Sequence, residues 1–276
     1  MSMTNVEPKS PLPIFVTIPH SGEKLPDFCD WLKGLPEESL MCDVDRFVDR
    51  LYEPSLVKFK IPSIKTEWHR YAADMNRVPE DVDAASVEGS PTEPGTHPRG
   101  FHWVVTTTSI PLMKKPMSLE QHKQLVQLIY KPFHQQIRNQ YQKLEEGGAS
   151  QILHIDAHSM PSVGTSMHRD PGETRPEIVI SDCLGKSSRP DFVDLVIASY
   201  VKAGFRVAYN WPYVGGRVSE QYGEPRIGHH AVQVEISRKL YMNEVTKQFE
   251  SEKAKATMAK VDKAISYLKE KLPALL

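Results

Sequence analysis

Two histidines, His20 and His158, each come after a short apolar segment and each stand next to a serine. The run at residues 14–18 stops at Pro-His-Ser-Gly, which is typical of a buried strand entering a tight loop, and residues 151–155 lead similarly to His158. Neighbouring strands would bring both imidazoles to one edge of a sheet. Two imidazoles and one carboxylate form a metal site that keeps a coordination position open for water. The alternative is that both are ordinary loop histidines.

The carboxylate that would complete such a site is ambiguous from spacing alone. Glu23 forms a short HxxE pattern with His20. The other source is a group of aspartates on or just before the next predicted helix: Asp43, Asp45 and Asp49. Asp156, two residues before His158, would instead accept a hydrogen bond from that imidazole and orient it.

Glu235 stands inside an apolar segment, residues 232–236, that predicts a strand. An unpaired carboxylate is costly to bury, so this side chain faces either solvent or a site that uses its charge. Beside a metal, desolvation would raise its pKa toward neutrality, where a carboxylate can take a proton from water. Glu235 is therefore a candidate general base.

Two polar segments are candidates for substrate binding. Residues 70–77, RYAADMNR, combine two guanidinium groups with a carboxylate and an amide. Guanidinium groups bind carboxylates through paired hydrogen bonds and stabilise negative charge that develops on a carbonyl. Residues 210–217, NWPYVGGR, contain two glycines, which allow the backbone to approach a ligand closely. The alternatives are a solvated charged loop and a plain turn.

Strands and helices alternate along the chain. The predicted strands are residues 14–18, 62–74, 151–155, 177–181, 206–208 and 232–236. The predicted helices are residues 43–52, a long helix from a capping box at 118 to the glycines at 147–148 with a bend at Pro132, 192–203 and 245–272. This order predicts a three-layer α/β domain with a mixed, largely parallel central sheet and ligands at the carboxyl ends of its strands. Residues 1–13 are a predicted tail and residues 79–100 a long loop.

Composition excludes several classes of function. The 276 residues carry a formal net charge of −1, which argues against a nucleic-acid partner. No segment reaches the roughly 18 apolar residues of a membrane span, and the N-terminal sequence does not resemble a signal peptide. Three cysteines without CxxC spacing argue against disulfides and a thiolate metal site, so the cytoplasm is the expected location.

Six motifs together resemble the N-formylglutamate amidohydrolase family in their order and spacing. They are IPHSG at 18–22, DVDRFVDRLY at 43–52, RYAADMNR at 70–77, YKPFH at 130–134, IDAHSMPS at 155–162 and VQVEISRKLYMNE at 232–244. The resemblance implies a single α/β domain over residues 1–276, similar in fold to the zinc carboxypeptidases and the aspartoacylase-like deacylases. It also implies a metal at the strand ends.

The resemblance implies a role for each matching catalytic residue. Arg70 would polarise the scissile carbonyl, and Glu235 would be the general base. An aspartate is preferred to Glu23 as the third metal ligand. The zinc ligands that the resemblance implies are His20, Asp45 and His158.

The implied activity is the hydrolysis of a small N-acyl amino acid, N-formyl-L-glutamate, to formate and glutamate, a reaction of histidine degradation. The predicted substrate-binding residues are Asn76, Arg77, Ser159, Asn210 and Gly216. Two alternatives stay open. One is a carboxypeptidase or deacylase that acts on a larger peptide or a cell-wall fragment, and the other is a non-catalytic protein that binds a carboxylate.

Overall fold

A six-stranded sheet forms the centre of the protein, of which the computed structural model describes residues 12–276. The strands are β1 (Ile14–Ile18), β2 (Ser63–Lys65), β3 (Ile152–Met160), β4 (Ile178–Ser181), β5 (Val207–Tyr209) and β6 (His229–Ser237). Their order is β2-β1-β3-β6-β4-β5, and every pair is parallel except β4 with β6. The predicted mixed, largely parallel sheet is confirmed. Most of the predicted tail, residues 1–11, lies outside the described residues.

Helices cover both faces of the sheet, which confirms the three-layer α/β arrangement. They are α1 (Glu37–Leu40), α2 (Val48–Phe59), α3 (Leu119–Leu125), α4 (Lys131–Glu146), α5 (Pro190–Lys202), α6 (Arg217–Tyr222) and α7 (Ser251–Lys271). On one face, α7 packs against both α2 and α5. On the other face, α4 lies against the sheet. Among residues 12–276, no helix is both long and apolar enough to cross a membrane.

The two faces of the sheet differ in polarity because side chains alternate along each strand. In β3, Ile155 and Ala157 join the apolar cluster beneath α2, α5 and α7. The residues between and beside them, His154, Asp156 and His158, point to the opposite face and are also buried. Buried polar side chains need partners, so this face must satisfy them with hydrogen bonds or a ligand.

The long helical segment after residue 118 is interrupted near its proline. The predicted capping box is confirmed, because Ser118 Oγ accepts a hydrogen bond from the Gln121 amide and the Gln121 side chain accepts one from the Ser118 amide. A π-helical turn, Val126–Tyr130, joins α3 to α4 immediately before Pro132. Pro132 has no amide proton for the carbonyl four residues earlier, which accounts for the irregular turn at this place.

Several predicted element boundaries are wrong, among them those of two helices and one strand. Residues 43–47 form a turn, so the helix predicted at 43–52 begins only at Val48. The helix predicted from 245 begins at Ser251, because the Asn243 side chain accepts hydrogen bonds from the amides of residues 245 and 246 and holds a turn there. The strand predicted at 62–74 contains only three residues, Ser63–Lys65.

Residues 66–118 form one long connection without a named strand or helix, which extends beyond the predicted loop at 79–100. The buried carboxylate of Asp83 organises this part of the chain. It accepts hydrogen bonds from the amides of Ala85, Gly95 and His97, at 2.9, 3.0 and 2.7 Å. Because one carboxylate fixes amides that are distant along the loop, the connection has a defined path past the sheet edge.

Candidate active site

A cavity of about 410 Å³ opens at the carboxyl ends of β1, β3 and β6. His20 follows the end of β1 by two residues, His158 lies near the end of β3, and Glu235 lies near the end of β6. All three line this cavity. The prediction that both histidines follow their strands is wrong for His158, because β3 continues to Met160. Parallel pairing nevertheless brings the three side chains to one edge.

His20, Asp45 and His158 form one buried cluster. Asp45 Oδ2 lies 3.0 Å from His158 Nδ1 and 3.6 Å from His20 Nδ1. The centres of the two imidazole rings are 4.9 Å apart. Burial alone would raise the pKa of Asp45, but its hydrogen bond to His158 and the proximity of both imidazoles outweigh burial and hold the pKa well below its usual value.

The turn at residues 43–47 positions Asp45, whose amide donates to the His20 carbonyl at 2.9 Å. Its second oxygen, Oδ1, accepts hydrogen bonds from Arg238 Nη2 at 3.1 Å and from Ser159 Oγ at 3.2 Å. The two oxygens therefore have separate surroundings. Oδ2 faces the imidazoles, while Oδ1 is fixed by a buried guanidinium and a hydroxyl group.

Two further carboxylates contact the other ring nitrogen, Nε2, of the two histidines. Asp74 Oδ1 lies 2.7 Å from His20 Nε2, and Asp156 Oδ2 lies 2.9 Å from His158 Nε2. With Nε2 engaged, both Nδ1 atoms face Asp45 and each other. Carboxylates in this position orient metal-binding imidazoles and increase their basicity. The sequence indicated this contact for Asp156, but not for Asp74.

The cluster has the donor set that a divalent metal requires. Its nitrogen and carboxylate ligand atoms all lie within 4.8 Å of one another. His20 Nδ1 is buried and has no hydrogen-bond partner among the described residues, although buried polar atoms are normally paired. A metal at the centre would give that nitrogen its missing partner. Two imidazoles and one carboxylate suit zinc with a position left for water.

Glu235 lies beside this cluster on the next strand and is buried. Gln233 Nε2 donates a hydrogen bond to its Oε1 at 2.9 Å. Burial raises the pKa of Glu235 to about 7, and the nearby His158 opposes part of that rise. Its carboxylate can therefore exchange a proton near neutral pH, as general acid–base catalysis requires.

Arg70 lines the cavity and is held by three groups. Its Nη2 donates to Asp74 Oδ2 at 2.8 Å, its Nη1 donates to the Asp43 carbonyl at 2.9 Å, and its guanidinium lies 4.6 Å from the centre of the Trp103 ring. Asp74 therefore contacts both Arg70 and His20. One carboxylate fixes the cation and the imidazole relative to each other.

Asn76, Arg77 and Gly216 line the wall beside Arg70. The Asn76 side-chain oxygen accepts a hydrogen bond from the Val218 amide at 2.7 Å, which fixes the orientation of its amide group. A Cβ atom at Gly216 would lie 2.0 Å from Asn76 Nδ2, so a side chain there would displace Asn76. Arg77 donates to the Arg99 and Asn76 carbonyls through Nε and Nη1.

The remaining predicted site residues differ in whether they line the cavity. Ser159 lines the cavity and contacts Asp45. Asn210 is absent from the cavity lining, and its side-chain amide pairs with the carboxylate and backbone of Asp182 instead. Glu23 is bound to Arg46 at 2.7 Å and is not part of the cluster. The geometry thus favours Asp45 over Glu23 and gives Asn210 no contact with the cavity.

A hairpin bridged at Val163 and Thr174 contributes cavity residues that sequence reasoning missed. Arg169 at its tip is exposed, lines the cavity and lies 5.6 Å from the centre of the Trp211 ring. A buried ion pair between Asp170 and Arg175, at 2.7 Å, holds the hairpin. No periodicity marks this segment, and its run of charges resembles a solvated loop, so the sequence offered no signal for it.

Arg238 is another cavity residue that the sequence analysis did not single out, and it is buried. It donates to Asp45 Oδ1, to Ser159 Oγ and to the Cys42 carbonyl. Its position directly after the buried strand β6 was the available signal, because an arginine there must find a buried partner.

Known proteins resemble this chain over most of its length. The model of the FGase family, N-formylglutamate amidohydrolase, matches residues 12–242. An N-formylglutamate deformylase of Pseudomonas putida is 28% identical over 237 residues, which cover 84% of this chain and 83% of that protein. An N-formylglutamate deformylase of Pseudomonas aeruginosa is 26% identical over 262 residues, which cover 93% and 92%. The crystal structure of N-formylglutamate amidohydrolase from Ralstonia eutropha JMP134 has a TM-score of 0.82 at 25% identity and covers 95% of both chains.

A mixed α/β sheet with a polar cavity at its carboxyl edge, together with these similarities, defines the class of the protein, which is an amidohydrolase. Within that class, the chain belongs to the N-formylglutamate amidohydrolase family, whose model matches well over half of its residues. The resemblance inferred from the six sequence motifs is therefore confirmed.

Proposed function

We propose that this protein hydrolyses N-formyl-L-glutamate to formate and L-glutamate with a zinc ion held by His20, Asp45 and His158. The observation that carries the proposal is the buried cluster of these three side chains beside Glu235 in one cavity. The relatives named above are described as N-formylglutamate deformylases, which supports the choice of substrate.

The charges lining the cavity support a substrate with two carboxylates. Five arginines line it: Arg70, Arg77, Arg99, Arg169 and Arg238. Asp74 pairs with Arg70 and Asp45 pairs with Arg238. The other three form no ion pair with a carboxylate in the part of the chain described, so they can attract an anionic ligand. Arg77 and Asn76 would hold the α-carboxylate, and Arg169 lies where a more distant carboxylate could bind.

The reaction joins water to the formyl carbon and breaks the carbon–nitrogen bond. A bound zinc ion would supply Lewis acidity, which makes water nucleophilic near neutral pH and polarises the carbonyl. Glu235 would accept the proton of the attacking water and then deliver it to the leaving nitrogen. Arg70, fixed by Asp74, would stabilise the negative charge that develops on the formyl oxygen.

The size of the cavity favours a small substrate over a long peptide or a cell-wall fragment. A volume of about 410 Å³ is near the low end of the range for small-molecule sites, and it accommodates one N-acyl amino acid. The two alternatives are a peptidase and a protein that binds a carboxylate without turnover. The experiment below distinguishes both from the proposed function.

Metal analysis combined with steady-state kinetics tests the proposal. The purified protein should contain about one zinc ion per chain, lose turnover of N-formyl-L-glutamate in a chelator, and regain it with added zinc. Turnover by protein shown to be free of metal would overturn the zinc assignment. Faster cleavage of short peptides would indicate a peptidase, and ligand-induced thermal stabilisation without turnover would indicate a binding protein.

A further inference from the structure

A chain of hydrogen bonds runs behind His158 along the polar face of the sheet. Tyr141 Oη lies 3.1 Å from His154 Nδ1, and His154 Nε2 lies 2.8 Å from Thr17 Oγ1. Thr17 Oγ1 donates to Asp156 Oδ1 at 2.7 Å, and Asp156 Oδ2 contacts His158 Nε2. Every member is buried. The described structure thus links α4 to the proposed metal site through side chains alone.

The direction of these bonds follows from the number of protons available. The Thr17 hydroxyl has one proton and donates it to Asp156, so its oxygen must accept from His154 Nε2–H. Burial lowers the pKa of His154 to about 4, so its ring is neutral near pH 7 and has a single N–H. Nδ1 of the same ring then accepts the Tyr141 hydroxyl proton.

The two carboxylates that orient the imidazoles are held differently. Asp74 Oδ2 accepts hydrogen bonds from Arg70 and from Trp103 Nε1, so several donors fix it. Asp156 Oδ1 has one donor among the described residues, the Thr17 hydroxyl. Removing that hydroxyl would leave one oxygen of a buried carboxylate without a partner and would release its orientation.

Backbone register makes this contact specific. Thr17 lies directly opposite Asp156 in the parallel pairing of β1 with β3, and Phe15 lies opposite His154 with their rings stacked at 4.3 Å. The register therefore sets the Thr17 hydroxyl beside Asp156 Oδ1, while Oδ2 of the same carboxylate is directed at His158.

We propose that Thr17 and His154 are positioning residues for the metal: by fixing Asp156 they hold the His158 ring in the orientation in which Nδ1 faces the proposed zinc site. This inference rests on the proposed zinc site but is independent of the substrate. It differs from a purely structural role because it predicts an effect on zinc affinity, and not on stability alone.

Zinc affinity measured by competition with a chromophoric chelator at fixed pH is the primary test. Thr17→Val, which is close in shape but has no hydroxyl, should weaken zinc binding by about tenfold. Thr17→Ser should restore affinity to the wild-type value. Thr257→Val is the matched control, because it removes another buried threonine hydroxyl, which donates to the Leu240 carbonyl on the far side of the sheet. It should leave zinc affinity unchanged.

Nitrogen NMR of the histidine rings in the zinc-loaded protein gives a second readout. The His158 Nε2–H signal should lie far downfield in the wild type and in Thr17→Ser, because this group donates a hydrogen bond to Asp156, and should move upfield in Thr17→Val, where Asp156 has lost its Thr17 partner. If Thr17→Val does not fold, the pair His154→Leu and His154→Gln replaces it, since only glutamine keeps an amide donor for Thr17. Zinc affinity that is equal in Thr17→Val and wild type, or equal in His154→Leu and His154→Gln, would overturn the inference. Failure of the wild type to bind zinc would instead overturn the proposed function.

Discussion

Glu235 lies directly opposite His158 in the parallel pairing of β3 with β6. Both side chains point to the polar face and reach the same cavity. A proposed general base and a proposed metal ligand are therefore placed by the backbone register of two central strands, and not by a flexible loop. Sites on such rigid elements hold their geometry closely.

Replacement of this glutamate should remove proton transfer and leave metal binding intact. Glu235→Gln keeps the shape of the side chain and should lower kcat for N-formyl-L-glutamate by about 10²- to 10⁴-fold, with zinc content unchanged. The exposed Glu88→Gln is the control and should match the wild type. A Glu235→Gln variant with normal kcat would remove Glu235 from the mechanism.

The pH profile should show the ionisation of Glu235. Burial raises its pKa to about 7, and a general base must be deprotonated to act, so kcat/KM should rise with pH and level off once Glu235 is ionised. A bound cation favours the carboxylate form, which places this limb at or below about pH 7. Measurement of kcat/KM from about pH 5 to pH 9 checks the sign. An increase in kcat/KM toward acid pH contradicts the role.

Selectivity for a second carboxylate should depend on Arg169. Loss of a hydrogen bond to a charged group costs about 1.5–3 kcal/mol, so Arg169→Gln should raise KM for N-formyl-L-glutamate by about 10- to 100-fold. N-formyl-L-glutamine lacks that carboxylate and should be hydrolysed equally by both proteins. Arg77→Gln should impair both substrates, because both have an α-carboxylate. An equal effect of Arg169→Gln on the two substrates would exclude this assignment.

The buried ion pair that holds the hairpin should contribute substantially to the free energy of unfolding of the protein. Asp170→Asn leaves the guanidinium of Arg175 enclosed without its charge partner, which should lower the free energy of unfolding by about 3 kcal/mol. Replacement of both residues by leucine removes the unpaired charge and should recover part of the loss. Urea denaturation of the three proteins measures these differences. An Asp170→Asn variant as stable as the wild type would show that the pair contributes little.

Local patterns predicted the fold well where one signal dominated. The strand Ile14–Ile18 was predicted with its observed bounds, because a β-branched apolar run ends there at a proline. The strand β3 was predicted too short, since Asp156 and His158 resemble a polar loop until their partners are known. Those partners, Thr17 and Asp45, lie on distant segments. Sequence spacing alone does not reveal tertiary contacts of this kind.

The same limit applies to the candidate site. Residues in the six motifs could be singled out, and His20, Asp45 and His158 lie together in the structure. Asp74 and Arg238 were missed because their roles depend on what surrounds them, namely an imidazole for Asp74 and a carboxylate for Arg238. The helix predicted over Asp45 was wrong for a related reason, since a hydrogen bond to the His20 carbonyl holds a turn there.

Strand order has a consequence for how the protein is made. β6 is the last strand in the sequence, yet it lies in the middle of the sheet between β3 and β4. During synthesis, β4 and β5 therefore emerge before the strand that joins them to β1, β2 and β3. The six strands cannot form one sheet, and Glu235 cannot lie beside His158, until residue 237 has left the ribosome. A nascent chain that stops short of that point carries both histidines but cannot assemble a working active site.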